Sequence, residues 1–308
     1  MDSPFVDLES PLTSYEIAKL VLLTPLAILR AVMCAFPILF LTICAEIAIL
    51  NCDMEKPLSG WRHILFRYSS IITMRSLLFI FGFYNIQLSG QKNIAEAYKK
   101  KAIIVFTHIS WVDSFIFAWL MDSCGVAKDS NKNLPLFSAY IRASQPIFIQ
   151  YGQDGLPRSG TSNVIAARAA DHRFPSLIII APEGTTSNGK CILKFKTGAF
   201  VSKNPVLPVI LSYPNKHINP TWSIDGPLFV AWRLATQFVN YARIDCLEIQ
   251  YAAPDESPAE YAERVRRFMA SKSGRPMKEL SQPDYVSVKN TYFLSWDRKH
   301  LYSKAKKS

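Results

Sequence analysis

The chain has 308 residues, 49% of them hydrophobic and 12% aromatic, with a formal net charge of +11. That length and apolar content suffice for a large core and exclude a disordered chain, while the charge suits an anionic partner: nucleic acid, a membrane surface or a phosphorylated small molecule. The mean hydropathy of +0.10 is high for a soluble protein, the basic residues are scattered rather than striped, and no nucleic-acid-binding motif occurs, which favours a membrane over nucleic acid.

The chain begins with Asp2, Asp7, Glu9 and Glu16 and has no Lys or Arg before Lys19, the reverse of a signal peptide's basic start. From Lys19 to Glu46 it is apolar apart from Arg30. The runs Leu20–Leu29 and Ala31–Ala45 are each shorter than the roughly 20 residues a spanning helix needs. Joining them buries Arg30 near the middle, at about 2.5–3.5 kcal/mol. Pro25 and Pro37 predict two kinks. Three arrangements stay open: a single span, a kinked re-entrant or interfacial hairpin with Arg30 snorkelling to headgroups, and a pair of core helices in a soluble protein. For a span, Lys56, Arg62, Arg67 and Arg75 after it, against Lys19 before it, put the C-terminal bulk in the cytosol. Ser76–Tyr84 is too short to span and reads as a buried helix or a surface dipping into lipid. Residues 1–85 are accordingly read as an N-terminal membrane-associated helical region.

From Ile86 onward short strand patterns alternate with helical ones, which argues for an α/β fold with a mixed sheet flanked by helices. The pattern predicts helices over Ile94–Lys101, Ser110–Met121 and Ser162–His172. It predicts buried strands at Ala102–Phe106, Ile147–Gln150, Leu177–Ala181 and Val206–Leu211. Leu247, Ile249 and Tyr251 alternate with Glu248 and Gln250, as in a half-exposed edge strand. Ser257, Pro258 and Glu260 form a capping box opening a helix with Tyr261, Val265, Phe268 and Met269 inward, stopped by Gly274. We assign 86–275 to one catalytic domain and 276–308 to a C-terminal basic tail, mobile from Asp297. Six cysteines, at 34, 44, 52, 124, 191 and 246, show no metal-ligand spacing and read as reduced thiols; no metal site is expected.

Two segments carry chemistry. His108 follows a predicted strand and Asp113 falls in the first turn of the next helix, within reach of one imidazole nitrogen. That contact would fix the tautomer and leave the other nitrogen as a general base. Ser110-x-x-Asp113 is also a capping box, so the carboxylate has a second candidate task. Glu183-Gly184-Thr185 follows another strand: Gly184 permits a sharp turn, the Thr185 hydroxyl and amide groups can meet an anion, and Glu183 can bond substrate hydroxyls, or the segment is an ordinary turn. Lys194 and Lys196 alternate with Leu193 and Phe195, either as a solvated face or as anion attractors.

These segments resemble the HxxxxD and EGT boxes of the glycerophospholipid acyltransferases. The likeness extends through Leu193–Phe200, Pro205–Val209 and Tyr213–Lys216 and is similar to the lysophosphatidylcholine and lysophosphatidylethanolamine acyltransferase branch. The resemblance implies a membrane-bound enzyme moving a fatty acyl group from acyl-CoA to the free hydroxyl of a lysophospholipid. His108 would be the base, Asp113 its orienter, Glu183, Gly184 and Thr185 the acceptor holders, and Pro208 a shaper of acyl-CoA binding. Acyl-CoA is then a co-substrate, no cofactor is needed, and no acyl-enzyme is required. Where the family's second box carries Arg, this chain has Tyr151; Arg158 nearby is the candidate phosphate-binding cation or a solvated loop charge. No calcium-binding loop pattern occurs. Alternatives are acylation of lysophosphatidate or glycerol 3-phosphate, a hydrolase passing the acyl group to water, and a non-catalytic lipid-binding membrane protein. The ending Lys304–Ser308 resembles a dilysine retrieval signal, which implies the endoplasmic reticulum membrane with the catalytic domain facing the cytosol.

Overall fold

The computed structural model describes residues 3–134, 137–150, 152, 160–221 and 226–304. The apolar N-terminal region forms three helices. In α1 (Ser14–Leu22) the Thr13 hydroxyl accepts the Glu16 N–H at 3.3 Å and caps the first turn. The second, α2 (Thr24–Ile49), is continuous over 26 residues, roughly 39 Å at 1.5 Å per residue. Pro25 falls in its first turn, where no donor is needed; Pro37 lies inside the helix without ending it. The third, α3 (Gly60–Ile80), runs back along α2: Arg62 donates to the terminal α2 carbonyls of Ala48 and Leu50 at 3.0 and 2.8 Å, and Thr73 Oγ1 donates to the Pro37 carbonyl.

Arg30 corrects the sequence expectation. It does not snorkel outward but is 5% exposed, facing the protein. Its guanidinium donates to the carbonyls of Ala235 at 3.0 Å, Gln237 at 2.5 Å and Phe238 at 3.3 Å, at and just beyond the C-terminal end of a later helix. Those carbonyls are the orphan acceptors of a helix terminus, so the cation satisfies them and complements the dipole. The charge that seemed to forbid one long apolar helix is absorbed by the neighbouring fold.

The α/β unit then follows in chain order as β1 (Ile86–Ser89), α4 (Gln91–Lys100), β2 (Ile103–Phe106), α5 (Val112–Leu120), β3 (Ser123–Lys128), α6 (Ser138–Ala143), β4 (Ile147–Ile149), α7 (Thr161–Ala170), β5 (Leu177–Ile180), β6 (Val206–Ser212), α8 (Pro227–Ala235), β7 (Ala242–Cys246) and α9 (Pro258–Ser273). The seven strands form one sheet in the order β1-β7-β6-β2-β5-β3-β4. Strands β6, β2, β5, β3 and β4 run parallel; β7 and β1 run the other way, β7 meeting β6 antiparallel. Side chains alternate between two cores. Ile104, Phe106, Leu207 and Val209 pack under α5 and α8 on one face. Ile103, Val105, Ile178 and Val206 pack under α7 and α9 on the other. The α9 capping box and the Gly274 stop stand as the sequence indicates, with Arg266 in the buried stripe and Phe268 only half-buried.

The edge strand expected at 247–251 is replaced by β7, five residues earlier and inside the sheet. Val209 pairs with Cys246 and Val206 with Gln250, so three steps along β6 face four along its neighbour, a bulge. Pro208 sits at the slip. Its carbonyl accepts the Leu247 N–H at 2.9 Å, but its ring nitrogen has no hydrogen to return, so the ladder breaks there.

The segment read as a basic tail contains α10 (Gln282–Thr291) and a hairpin of β8 (Tyr292–Leu294) with β9 (Leu301–Ser303), the second strand falling in the part expected to be mobile from Asp297. The Leu12 N–H donates to the Asp297 carbonyl at 2.9 Å, and buried Arg298 donates to the Asp7 carbonyl at 3.4 Å.

Candidate active site

Because β2, β5 and β6 are parallel neighbours, the residues just past each come out at one carboxyl edge of the sheet. His108 follows β2, Glu183 follows β5 and Tyr213 follows β6. The His108–Asp113 turn closes on itself. Asp113 Oδ2 lies 2.8 Å from His108 Nδ1 and also accepts the N–H groups of Ile109 at 2.8 Å and Ser110 at 3.0 Å. A carboxylate only accepts, so Nδ1 carries the proton and Nε2 is the imidazole's basic nitrogen. No group among the described residues bonds Nε2, and the ring is 24% exposed against 1% for the Asp113 side chain. Asp113 thus bonds the backbone of the turn and the imidazole at once.

His108 lines a cavity of about 1130 Å³. Its polar lining includes Thr185, Thr186 and Lys196; its apolar lining includes Val126, Ile149 and Ile179. The 182–189 segment is bound to the His108 turn: the Ser187 N–H donates to the His108 carbonyl at 2.9 Å. Gly184 adopts φ +70°, a backbone conformation that favours glycine, and a Cβ there would stand 2.8 Å from the flexible end of Lys196, which would have to move. Lys196 Nζ donates to Gln282 Oε1, and burial lowers its ammonium below the usual lysine range.

Glu183 is placed differently from the sequence expectation. It is fully buried and is not part of the cavity wall. Oε1 accepts the Leu193 N–H at 3.0 Å, while Oε2 is buried without a hydrogen-bond partner among the described residues. Burial pushes the carboxyl up to about 7; the Leu193 N–H and the charges of His108, Arg275 and Arg266 pull it back. In this geometry Glu183 braces the loop behind the wall. Pro208 likewise stays inside the sheet, opposite Val105 and away from the cavity. Arg158 and Tyr151 lie outside the described residues. Lys194 is exposed.

Two remote segments clamp the Glu183 loop. From the N-terminus, the Pro4 and Val6 carbonyls accept from the Asn188 backbone and side-chain N–H groups at 2.7 and 3.0 Å, and Phe5 packs on Cys191 and Leu193. From the C-terminus, Ile192 exchanges backbone bonds with Pro276 and Lys278, and Gln282, Pro283 and Tyr285 complete the cavity wall. Sequence reasoning missed both clamps, and it gave Tyr213 no task; its hydroxyl donates to Asp113 Oδ1. Among the described residues no group of three or more His, Cys, Asp or Glu is placed to hold a metal ion.

The model of the Acyltransferase family matches residues 85–212, the stretch holding β1 through β6. The chain is 33% identical over 294 residues to the lysophosphatidylcholine acyltransferase of Drosophila melanogaster, covering 92% of this chain and 54% of that protein. It is 31% identical over 253 residues to the lysophospholipid acyltransferase LPEAT2 of Arabidopsis thaliana, covering 82% and 45%. It thus spans about half the length of the curated relatives it matches. The crystal structure of the 1-acyl-sn-glycerophosphate (LPA) acyltransferase PlsC from Thermotoga maritima aligns with a TM-score of 0.56 at 16% identity, covering 86% of this chain and all of that one, a shared fold. With the family match on the His108 and Glu183 strands and relatives along most of its length, residues 85–212 carry an acyltransferase-family domain and the chain is similar to lysophospholipid acyltransferases.

Proposed function

We propose that this protein transfers a fatty acyl group from acyl-CoA to the free hydroxyl of a lysophospholipid, with lysophosphatidylcholine or lysophosphatidylethanolamine as acceptor. The observation that carries the reading is His108: Nδ1 held by buried Asp113, Nε2 without a partner among the described residues, on the wall of a large, mostly apolar cavity. In the proposed step Nε2 takes the acceptor hydroxyl's proton as the oxygen attacks the thioester carbonyl carbon. The carbonyl oxygen becomes an oxyanion, met by donors of the 184–186 turn. The intermediate collapses, the carbon–sulfur bond breaks, and the imidazolium returns its proton to the departing thiolate. The acceptor is the nucleophile, so the balance closes without an acyl-enzyme. Glu183, Gly184 and Thr185 act on the acceptor by holding that turn in place, the first from behind.

We also place the protein on a membrane. Among the described residues α2 is the one helix long and apolar enough to cross a bilayer. Yet it touches the α/β unit at both ends: Arg30 meets the end of α8, while Ala45 and Ile49 pack on Ala139 and Ala143, and Glu46 pairs with Arg142 at 2.7 Å. Between these contacts Val32, Phe36, Leu39 and Ile43 are exposed. A helix fixed alongside its own domain suits an interfacial hairpin with α3 better than a span. The endoplasmic reticulum, with the cavity toward the cytosol, is the proposed location; that no disulfide occurs among the described residues suits that reducing side.

The test is an acceptor panel. Purified protein is given one labelled acyl-CoA and, separately, lysophosphatidylcholine, lysophosphatidylethanolamine, lysophosphatidate, glycerol 3-phosphate or no acceptor. Labelled phosphatidylcholine or phosphatidylethanolamine with stoichiometric free thiol is expected. Free fatty acid released equally with and without acceptor would replace the reading with a thioester hydrolase.

A further inference from the structure

Asp113 has four donors, and they come from two places. Three belong to its own turn: His108 Nδ1 and the Ile109 and Ser110 N–H groups, all on Oδ2. The fourth, on Oδ1, is the hydroxyl of Tyr213, a hundred residues further along the chain. The fold brings it there rigidly. Phe106 of β2 lies opposite Val209 of β6, and beyond them Thr107 Oγ1 accepts the Leu211 N–H at 2.9 Å, tying the two strand exits together. The Tyr213 ring stands edge-on to buried Phe83 with centroids 6.1 Å apart. Burial and the Asp113 charge raise the phenol well above its usual range, so it remains a donor.

Three donors on one oxygen fix where Oδ2 sits. They leave the carboxylate free to turn about that oxygen, and they leave Oδ1 buried without a partner, a costly state. We propose that Tyr213 is the positioning residue of the His108–Asp113 pair, setting the plane of the carboxylate and drawing off part of its negative charge, and thereby governing how strongly Asp113 holds a proton on the imidazole. The assignment rests on the acyl-transfer reading above, and Tyr213 itself touches no substrate in it.

The sign of the effect follows. Without the hydroxyl, Asp113 keeps more of its charge, its attraction for the imidazolium grows, and the base stays protonated to higher pH. His108 and Glu183 lie close enough to influence one another, Glu183 also feels Arg275 and Arg266, and Lys128 and Lys196 line the same cavity as His108. Tyr213 donates to Asp113, not to Glu183, so the contribution of Glu183 is common to wild type and variant.

The experiment compares kcat/KM–pH profiles of wild type, Tyr213→Phe and protein carrying 3-fluorotyrosine at 213, whose phenol is a stronger donor. Tyr213→Phe is expected to lower kcat about tenfold with KM for acyl-CoA within about twofold, as befits a group that acts on the base rather than on binding. Its acid limb should move up by about half a pH unit, roughly 0.7 kcal/mol, and the fluorinated protein's limb should move down. Opposite movements support the assignment. Profiles that superimpose on wild type after scaling overturn it, leaving a merely structural tyrosine. Should Tyr213→Phe fail to fold, the fluorinated protein, which keeps the hydroxyl, decides alone. A wild type that transfers no acyl group sinks the functional reading instead, so the two failures are told apart.

Discussion

Two histidines in this fold meet an aspartate at 2.8 Å, from opposite edges of the same sheet. His108 and Asp113 lie past the end of β2; His63 of α3 meets Asp122, which stands just before β3, with Ser176 Oγ donating to the second Asp122 oxygen at 2.8 Å. Read as a list of side chains, His63, Asp122 and Ser176 look the richer set. The surroundings decide otherwise. The His63 pair borders a void of about 20 Å³, room for little more than one water, whereas His108 borders about 1130 Å³. At the carboxyl edge the strands fan into loops that enclose space; at the amino edge His63 fastens a helix to the sheet. In the proposed reading the same pair serves as a base in one place and a latch in the other.

The sharpest way to break this contrast is to remove each imidazole in turn. His108→Ala should cut acyl transfer by about 10²–10⁴-fold, the range of a general base, with little change in melting temperature. His63→Ala should leave transfer within about twofold. Equal losses of activity would erase the distinction. Next in size is Glu183→Gln. The folded carboxyl titrates near 7 against an ordinary value of 4.5, so its stabilisation is fully present below about pH 4.5 and is lost as pH rises through 7, on the order of 3 kcal/mol. Melting temperature should therefore fall between those values in wild type and stay flatter in the variant, leaving the variant the more stable at pH 8. A variant with the wild-type slope would show that Glu183 is not the buried acid described. Arg30→Met removes a charged donor from three carbonyls and should cost about 1.5–3 kcal/mol, seen as earlier melting and faster proteolysis near α1 and α2; unchanged melting would mean that α2 docks without it. The smallest effect belongs to the latch. Its bond to Asp122 raises His63, so the stabilisation is full below the ordinary histidine value and fades as pH rises past the folded one. His63→Ala should then cost at most about 1 kcal/mol, more at pH 5.5 than at pH 8; a larger loss at pH 8 would reverse the assignment.

The residues that announced themselves in the sequence did so through local chemistry. Four buried apolar residues at 103–106, then His108 and Ser110-x-x-Asp113, describe a strand, a turn and a helix start without help from elsewhere. The α9 helix, with its cap and glycine stop, was legible for the same reason. Where partners are distant the reading failed. Strand β3, Ser-Cys-Gly-Val-Ala-Lys, has little β-branched character and is a strand because β5 and β4 flank it. The alternation at 247–251 was real, but Pro208 across the sheet denied it a ladder. Arg30 looked like an interruption because its carbonyl partners lie two hundred residues away. Glu183 follows a strand, as its sequence position indicates; that it is buried behind the wall depends on Leu193 and on both chain ends packing over the loop.

The way those two ends fold over the 182–196 loop bears on how far the polypeptide can be trimmed. A fragment cut to residues 85–212 would retain His108 and Glu183 on adjacent strands. It would lose Phe5 and Tyr285 from above Cys191 and Leu193, and it would lose β7, turning β6 into a bare edge whose backbone donors face water or another molecule. Such an edge is a template for aggregation. In the proposed reading a working fragment therefore needs the Pro4–Val6 segment at one end and α10 at the other, far beyond the stretch that carries the signature.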